Sequence, residues 1–386
     1  MARAGSENGA LTHRVVSVTD PLSVGVIGYG FMGKAHANAL ARLPMFIPDA
    51  PAVERDVLVG RDEAGLTEAA ERLGFARTAT DPLAVVDEVD VLYNLGPNHI
   101  HEEPIVAALD AGVAVLCEKP LAPTLEAAER MATAADDSTA VAGVGFNYRF
   151  VPAIRYAKQL IDAGELGEIR RFRGRYLQDW LLDPETPASW RTDADRAGSG
   201  ALGDLGAHTV DLARFLVGNV VAVSGRLTTY VDERPAPDGD GTRAVTVDDA
   251  FDARITFTDG ATGTLEASRV APGRKNDHHI EVEGSKGTVR FSLERLNELE
   301  IHRVGDRGFE TVLVTDETDP YLDAWWPPGH VLGWEHTFVH ENAAFLNAVA
   351  GDGNFAPDFA DGLAVQRVLD AIENSDETGE RVRVDG

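Results

Sequence analysis

The stretch GDLGAHTVD, Gly203 to Asp211, sets an aspartate and a histidine four residues apart at the start of an apolar-periodic run. On a helix, Asp204 and His208 share one face, about one turn apart. A carboxylate beside an imidazole that titrates near neutral pH suits proton transfer in a small polar site. The same spacing also suits an N-cap aspartate and a histidine that merely follows it. A third reactive group stands in VAVLCEKP, residues 113–120, where Glu118 and Lys119 close a β-like run. In a parallel sheet such a strand end is the edge at which ligands bind, although a lysine there also serves as an ordinary ion-pair partner.

The elements that must position these groups begin with LSVGVIGYGFMGKAHANAL. A β-like run at 24–27 leads into Gly28, Gly30 and Gly33 in G-x-G-x-x-G spacing, and a helical pattern follows. The first glycine permits the tight turn, the second lets the backbone approach a pyrophosphate, and the third lets helix pack on strand. The motif alone is weak evidence; the strand before it and the helix after it supply the required context. The alternation continues with a strand at 56–60, a helix at 66–75 ended by Gly74, and a strand at 89–95. HEEPIVAALDAG is a helix closed by Gly112, and CEKP, TLEAAERMATAADD and TAVAGVGFNYRF continue as strand, helix and strand. Repeated units of this length predict an α/β fold with a doubly wound parallel sheet of the Rossmann type over residues 22–145, behind a flexible tail at 1–21. The second strand ends in Gly60, Arg61 and Asp62. An acidic side chain at that point would read the ribose hydroxyl of NAD, and an arginine would accommodate the 2′-phosphate of NADP. The spacing predicts NAD(P) as cofactor and leans to NADP through Arg61, with Asp62 one residue from the ribose-reading position.

Residues 146–386 read as an α+β domain for substrate binding and oligomerisation. RYAKQLIDAGELGEIRRFRGRYLQDW predicts a helix stopped near Gly164 and then a long strand. With a period of two, Tyr176, Gln178 and Trp180 lie on one face. An aromatic ring beside an amide and a hydroxyl suits a sugar; a core or interface strand is the alternative. Further β-like runs separated by turns such as Asp259-Gly260 and Lys286-Gly287 predict a large, open, mostly antiparallel sheet. RPAPDGDGTR, residues 234–243, reads as a loop, and GLAVQRVLDAIENS as a closing amphipathic helix. His330, His336 and His340 lack an HExxH arrangement, so no metal is assigned; Trp334 or His330 borders the pocket instead.

The chain carries 35 basic and 63 acidic residues, a formal charge of −28, and this excludes nucleic acid as a natural partner. No apolar run approaches the roughly 18–20 residues of a membrane span. The first twenty residues lack a secretory apolar region, and Cys117, the single cysteine, has no partner for a disulfide. These features predict a cytoplasmic protein. Only five of the basic residues are lysine. A folded, acidic, lysine-poor chain fits a halophilic, salt-rich cytoplasm in which screening suppresses self-repulsion; an arginine-favouring genome is the other reading.

The nucleotide motif, PNHIH at 97–101, EKP at 118–120 and GDLGAHTVD at 203–211 together resemble the Gfo/Idh/MocA oxidoreductases, over nearly all of the chain after the tail. FMGKAH, FNYR, YLQDW, SWR, AGSGALGD and VDD are similar to the levoglucosan dehydrogenase subgroup, which oxidises an anhydrosugar at its C3 hydroxyl. The resemblance implies that Lys119, Asp204 and His208 meet at the nicotinamide ring. His208 would serve as base, Lys119 would stabilise alkoxide charge, and Asp204 would hold a sugar hydroxyl; either Lys119 or His208 takes the proton. It implies cofactor contacts from Gly28, Tyr29, Gly30, Phe31 and Met32, and from Gly60 and Arg61. Pro97, Asn98, His101, Glu118, Lys119, Asn147, Trp190 and Arg191 complete that set. Lys119, Tyr148, Gln178, Trp180, Asp204, His208 and Trp334 would face the sugar. The free face of the open sheet would form a homodimer or homotetramer. Gly96 stands where relatives often carry threonine, so the nicotinamide side departs from the pattern. Two other functions share the fold: a glycosidase that holds NAD and oxidises the sugar transiently, and a non-catalytic nucleotide-sensing regulator.

Overall fold

The computed structural model describes residues 20–384, so most of the tail read at 1–21 lies outside the described residues. Six strands form the first sheet: β1 (Leu22–Ile27), β2 (Val53–Val59), β3 (Arg77–Ala79), β4 (Val91–Asn94), β5 (Ala114–Glu118) and β6 (Ala142–Gly145). All pair in parallel, in the order β3-β2-β1-β4-β5-β6. The order reverses between β1 and β4, and such a switch point opens a crevice at the carboxyl ends of the strands. β4 and β5 are buried along their whole length, because helices cover both faces of a parallel sheet. β3 is a strand of three residues, too short for the sequence pattern to announce.

The second sheet has nine strands. They are β7 (Ile169–Leu177), β8 (Val220–Thr228), β11 (Ala250–Phe257), β12 (Thr262–Ser268), β13 (Asp277–Gly284), β14 (Gly287–Ser292), β15 (Glu298–Arg303), β16 (Glu310–Leu313) and β17 (Val382–Arg383); β9 (Glu233–Pro235) and β10 (Thr242–Ala244) form a separate ribbon within the segment read as a loop. The order is β16-β15-β14-β13-β7-β12-β11-β8-β17, antiparallel throughout except where β12 runs parallel to β7. β11 shows why one face is core: Phe251, Ala253, Ile255 and Phe257 turn inward, while Asp252 and Arg254 turn out. The inner face packs on the helices Pro152–Asp162, Ala207–Leu216 and Phe359–Thr378, with Ile154, Val210, Leu212, Leu369 and Ile372 in one core with Phe172 and Val282. The outer face is charged rather than apolar. Arg173 on β7 pairs with Glu281 and Glu283 on β13, and Arg290 on β14 also reaches Glu281.

The chain crosses back before it ends. The helix His336–Val349 buries Phe338, Val339, Phe345 and Leu346 against Val24, Leu40 and Leu116 of the nucleotide-side core. Val144 of β6 donates to the Pro357 carbonyl at 2.9 Å. The last helix thus anchors the second sheet while the one before it completes the first unit. Among the described residues no helix is long and apolar enough to cross a membrane.

Candidate active site

The carboxyl ends of β1, β4, β5 and β6 open into a cavity of about 760 Å³ whose other wall comes from β7, the helix carrying His208 and the loop before β13. At its nucleotide end the glycine motif works by contact distances. Gly28 has φ +96°, and a Cβ there would meet the Leu95 carbonyl oxygen at 2.9 Å. A Cβ on Gly33 would lie 2.2 Å from the Gly28 carbonyl oxygen, so helix and strand touch only because it is glycine. A Cβ on Gly30 would meet nothing within 4 Å. No side chain caps the helix Phe31–Phe46, and no acid stands in its first turn. An open cradle at a helix N-terminus with free amides and positive dipole fits a pyrophosphate. The residues present therefore fit a dinucleotide.

Lys119 and Asp204 meet on the cavity floor. The Lys119 ammonium donates to the Asp204 backbone carbonyl at 2.7 Å and lies 3.7 Å from its carboxylate. Burial opposes ionisation of Asp204, yet the charges of Lys119, Arg191 and Arg269 outweigh it and hold the carboxyl below its ordinary range. His208 is buried against the rings of Phe146 and Tyr148. Burial, with the Lys119 charge and His278 adding to it, pushes its imidazole well below the usual value, so it is neutral at working pH. Nδ1 is sealed without a hydrogen-bond partner, which leaves Nε2 as the nitrogen that can meet a ligand.

The helix under these groups starts at Ala201, passes through a wide π turn at Leu202–Gly206, and continues as Ala207–Leu216. Asp204 sits inside the π turn and caps nothing, which settles the capping question raised by its spacing. The cap comes from elsewhere: Asp248 accepts from the amides of Gly200 at 2.6 Å and Leu202 at 2.9 Å. That division of labour leaves the Asp204 carboxylate for the cavity. Buried Arg269 holds the same corner, donating to the Asp248 carbonyl at 2.8 Å and the Arg191 carbonyl at 3.0 Å. Neither residue has a local sequence signal beyond the VDD triplet.

The sequence-predicted residues converge to a large degree. Gly28, Gly30, Phe31, Met32, Pro97, Asn98, Glu118, Lys119, Asn147, Trp190 and Arg191 line the nucleotide side of the cavity. Tyr148, Gln178, Trp180, Asp204, His208 and Trp334 line the rest. Trp180 follows the end of β7 at Leu177, so it reaches the cavity from a turn and not from the strand face predicted for it. Phe31 stacks on Trp334 with ring centroids 5.3 Å apart and joins the two halves across the cleft. Four predicted cofactor residues lie outside the lining. His101 is the plain correction: it is fully buried, and its ring nitrogens lie 3.1 Å from the carbonyls of Leu121 and Gly96, tying one loop to the next. Tyr29 packs against Gly60, where a Cβ would approach its ring to 2.3 Å. Arg61 is exposed beyond the crevice, and Asp62 caps the helix Glu63–Leu73 through the Gly65 amide.

Three residues that the sequence did not single out, His36, Lys275 and Asn276, complete the site beside Glu118 and Tyr176. Glu118 is held by buried His36 at 3.3 Å, and its other oxygen accepts from the Lys119 amide at 3.2 Å. Tyr176, Lys275 and Asn276 join the wall. The tail histidines are structural. His340 accepts from Trp325 Nε1 at 2.7 Å and donates to the Phe150 carbonyl at 3.0 Å, which satisfies a neutral ring; burial depresses its pKa to about 3. His330 does not reach the cavity lining.

A parallel sheet with a glycine cradle, joined to an open sheet through a lysine–aspartate–histidine floor, defines a two-unit dinucleotide oxidoreductase. The model for the oxidoreductase family with an NAD-binding Rossmann fold matches residues 22–146, and the model for the GFO/IDH/MocA C-terminal domain matches residues 154–290. The chain belongs to the Gfo/Idh/MocA family and is an NAD-binding oxidoreductase. It is 42% identical over 374 residues to the levoglucosan dehydrogenase of Pseudarthrobacter phenanthrenivorans, covering 92% of this chain and 96% of that one. A solved levoglucosan dehydrogenase in complex with NADH and levoglucosan superposes with a TM-score of 0.92 at 41% identity, covering 95% of this chain and all of that one. The NADP-dependent D-xylose 1-dehydrogenase of Haloarcula marismortui is 32% identical over 54% of each chain.

Proposed function

We propose that this chain is a sugar dehydrogenase that oxidises a secondary ring hydroxyl, C3 of a levoglucosan-like anhydrosugar, with Lys119, Asp204 and His208 at the reacting oxygen. The observation that carries the reading is the meeting of these three side chains in one cavity with the open Gly30 cradle. The likeness to levoglucosan dehydrogenases along nearly the whole chain supports it.

The nicotinamide coenzyme, when bound by the Gly28–Met32 turn and by Pro97, Asn98, Glu118, Asn147, Trp190 and Arg191, supplies the hydride acceptor. The protein handles the proton. Neutral His208 accepts it through Nε2, and Lys119 donates to the same oxygen and stabilises alkoxide charge. Asp204 holds the ammonium in place and takes a neighbouring hydroxyl. Tyr148, Gln178, Trp180 and Trp334 hold the rest of the ring. Reduced-nicotinamide absorbance tests the reading with NAD and NADP across levoglucosan, glucose, xylose, inositol and glycosides. Net reduction with one sugar supports a dehydrogenase; glycoside cleavage without net reduction would make the chain a glycosidase.

At the adenosine end the coenzyme reading is NADP. No carboxylate follows β2 directly, and Asp62 is spent on its helix cap. Among the described residues Arg61 has no ion-pair partner, while its charge and that of Arg196 both add to burial in lowering the His99 imidazole below its ordinary value. A cationic corner of this kind suits a 2′-phosphate. Replacing Arg61→Ala should raise KM for NADP roughly tenfold or more and leave KM for NAD unchanged. Equal KM changes for the two coenzymes would assign Arg61 no part in the choice.

The two units proposed for these tasks are 22–145 for the dinucleotide and 146–386 for substrate and assembly. The outer sheet face, with its alternating arginines and glutamates, is proposed as a self-complementary homodimer or homotetramer surface. The charge of −28 supports a halophilic, cytoplasmic reading. At molar salt the Debye length falls to roughly 3 Å, and repulsion among the excess carboxylates is screened. The melting temperature should therefore climb steadily from dilute buffer to about 2 M KCl; a melting temperature indifferent to KCl would remove the halophile reading.

A further inference from the structure

Behind the cavity floor, polar side chains from three elements meet in a line. His36 stands on the helix Phe31–Phe46, Glu118 closes β5, and Asn342 lies on the helix His336–Val349. All three are buried, His36 and Asn342 completely. They join parts of the chain 82 and 306 residues apart.

The donors present fix where the protons lie. Asn342 Nδ2 donates to the Phe338 carbonyl at 2.7 Å, which sets the orientation of the amide. The same Nδ2 lies 3.1 Å from His36 Nδ1, closer than Asn342 Oδ1 comes to that nitrogen at 3.4 Å. Nδ2 has a second hydrogen to give, so Nδ1 accepts and the ring proton sits on Nε2. Nε2 lies 3.3 Å from Glu118 Oε1, and the Lys119 amide donates to Oε2 at 3.2 Å. Hydrogen bonds therefore run one way, from Asn342 through His36 to Glu118. The imidazole is pinned in that orientation, edge-on to Phe338 with ring centroids 5.2 Å apart and tilted against Tyr93 at 5.5 Å.

Each Glu118 oxygen thus already faces one donor, and its remaining lone pairs can only accept. Glu118 lines the cavity beside Lys119, two strands away from the β1 turn that carries Gly30. That is the end of the crevice away from the pyrophosphate cradle. Without His36, Oε1 becomes a buried acceptor with no partner, and the carboxyl group can turn away or take up a proton and become a donor.

We propose that His36, with its tautomer set by Asn342, is a positioning residue for the coenzyme: it keeps Glu118 an acceptor-only group for the hydrogen-bond donors of the nicotinamide half. The inference rests on the reading of Glu118 as a coenzyme contact.

Isothermal titration calorimetry without any sugar compares NADH with ADP, which shares the adenosine half and lacks the nicotinamide half. His36→Leu should raise the dissociation constant of NADH about tenfold or more and leave that of ADP within roughly twofold. His36→Gln, which keeps a donor long enough to reach Glu118, should stay within roughly threefold of wild type for both. If His36→Leu fails to fold, His36→Asn, too short to reach Glu118, takes its place with the same expected split. An equal rise for NADH and ADP, an unchanged NADH constant, or a His36→Gln variant as weak as His36→Leu overturns the proposal. Glu118→Gln separates the two levels. If it binds NADH as tightly as wild type, the coenzyme role of Glu118 falls and this inference with it. If it binds weakly while His36→Leu binds normally, this inference alone falls.

Discussion

A His208→Ala variant should lose roughly 10²–10⁴-fold in kcat while still folding and binding coenzyme. Among the described residues the imidazole has no hydrogen-bond partner, its Nδ1 being buried without one, so its removal breaks no described bond. It packs against Phe146 and Tyr148, and the space it leaves is continuous with the cavity. The loss should therefore fall on the chemical step rather than on stability. The pH profile carries the sign. Burial, the Lys119 charge and His278 all hold the His208 pKa well below its ordinary value. In the proposed mechanism the neutral ring is the base, so protonation at falling pH switches it off. The acid limb of kcat/KM should lie well below pH 6.5, with a plateau through neutrality. A limb at or above pH 6.5, or a variant with full kcat, would assign the proton to Lys119.

The second large effect concerns stability. Arg149, in the FNYR turn beside Asn147 and Tyr148, places its Nε 3.0 Å from both oxygens of Asp211 and its Nη2 2.6 Å from one of them. Nη1 reaches Asp361 at 3.0 Å. Both Arg149 and Asp211 are buried. Burial works against the guanidinium charge, and the two aspartates overcome it and keep it protonated. Arg149→Met would leave the buried Asp211 carboxylate without its hydrogen-bonded partner, with only the more distant Arg214 charge to offset it, at a cost of about 3–5 kcal/mol. Denaturant unfolding should show that loss, and coenzyme-saturated activity should fall with it because Tyr148 shares the turn. A double variant that also converts Asp211→Leu should recover much of the stability. Equal stability of wild type and Arg149→Met would show that the pair contributes no net stability.

Arg149 and Asp211 also show where sequence reasoning stopped. FNYR and GDLGAHTVD were visible as two motifs, and the ion pair that joins them lies 62 residues apart along the chain. The glycine motif was legible because its evidence is local: strand, turn and helix follow one another within about twenty residues, and each glycine answers to a contact inside that stretch. Lys119 was legible because a strand end in a parallel sheet has a known address. His101 was misassigned because a histidine in a loop carries the same letter whether it faces a ligand or two backbone carbonyls. Asp204 was ambiguous for a similar reason, since only Asp248, more than forty residues away, reveals that the helix already has its cap.

The sequence by itself determined the parallel nucleotide sheet, the mostly antiparallel second sheet, the coenzyme class and the lysine, aspartate and histidine that line one cavity. Periodicity, turn residues and glycine spacing are short-range properties that the chain must satisfy wherever it folds. The tertiary structure decided which polar atoms are spent and which remain. Asn276 meets Tyr176 across 100 residues and Gln178 across 98, and Glu118 meets His36 across 82. Hydrogen-bond capacity is finite, so what a side chain offers a ligand depends on what its distant neighbours have already taken.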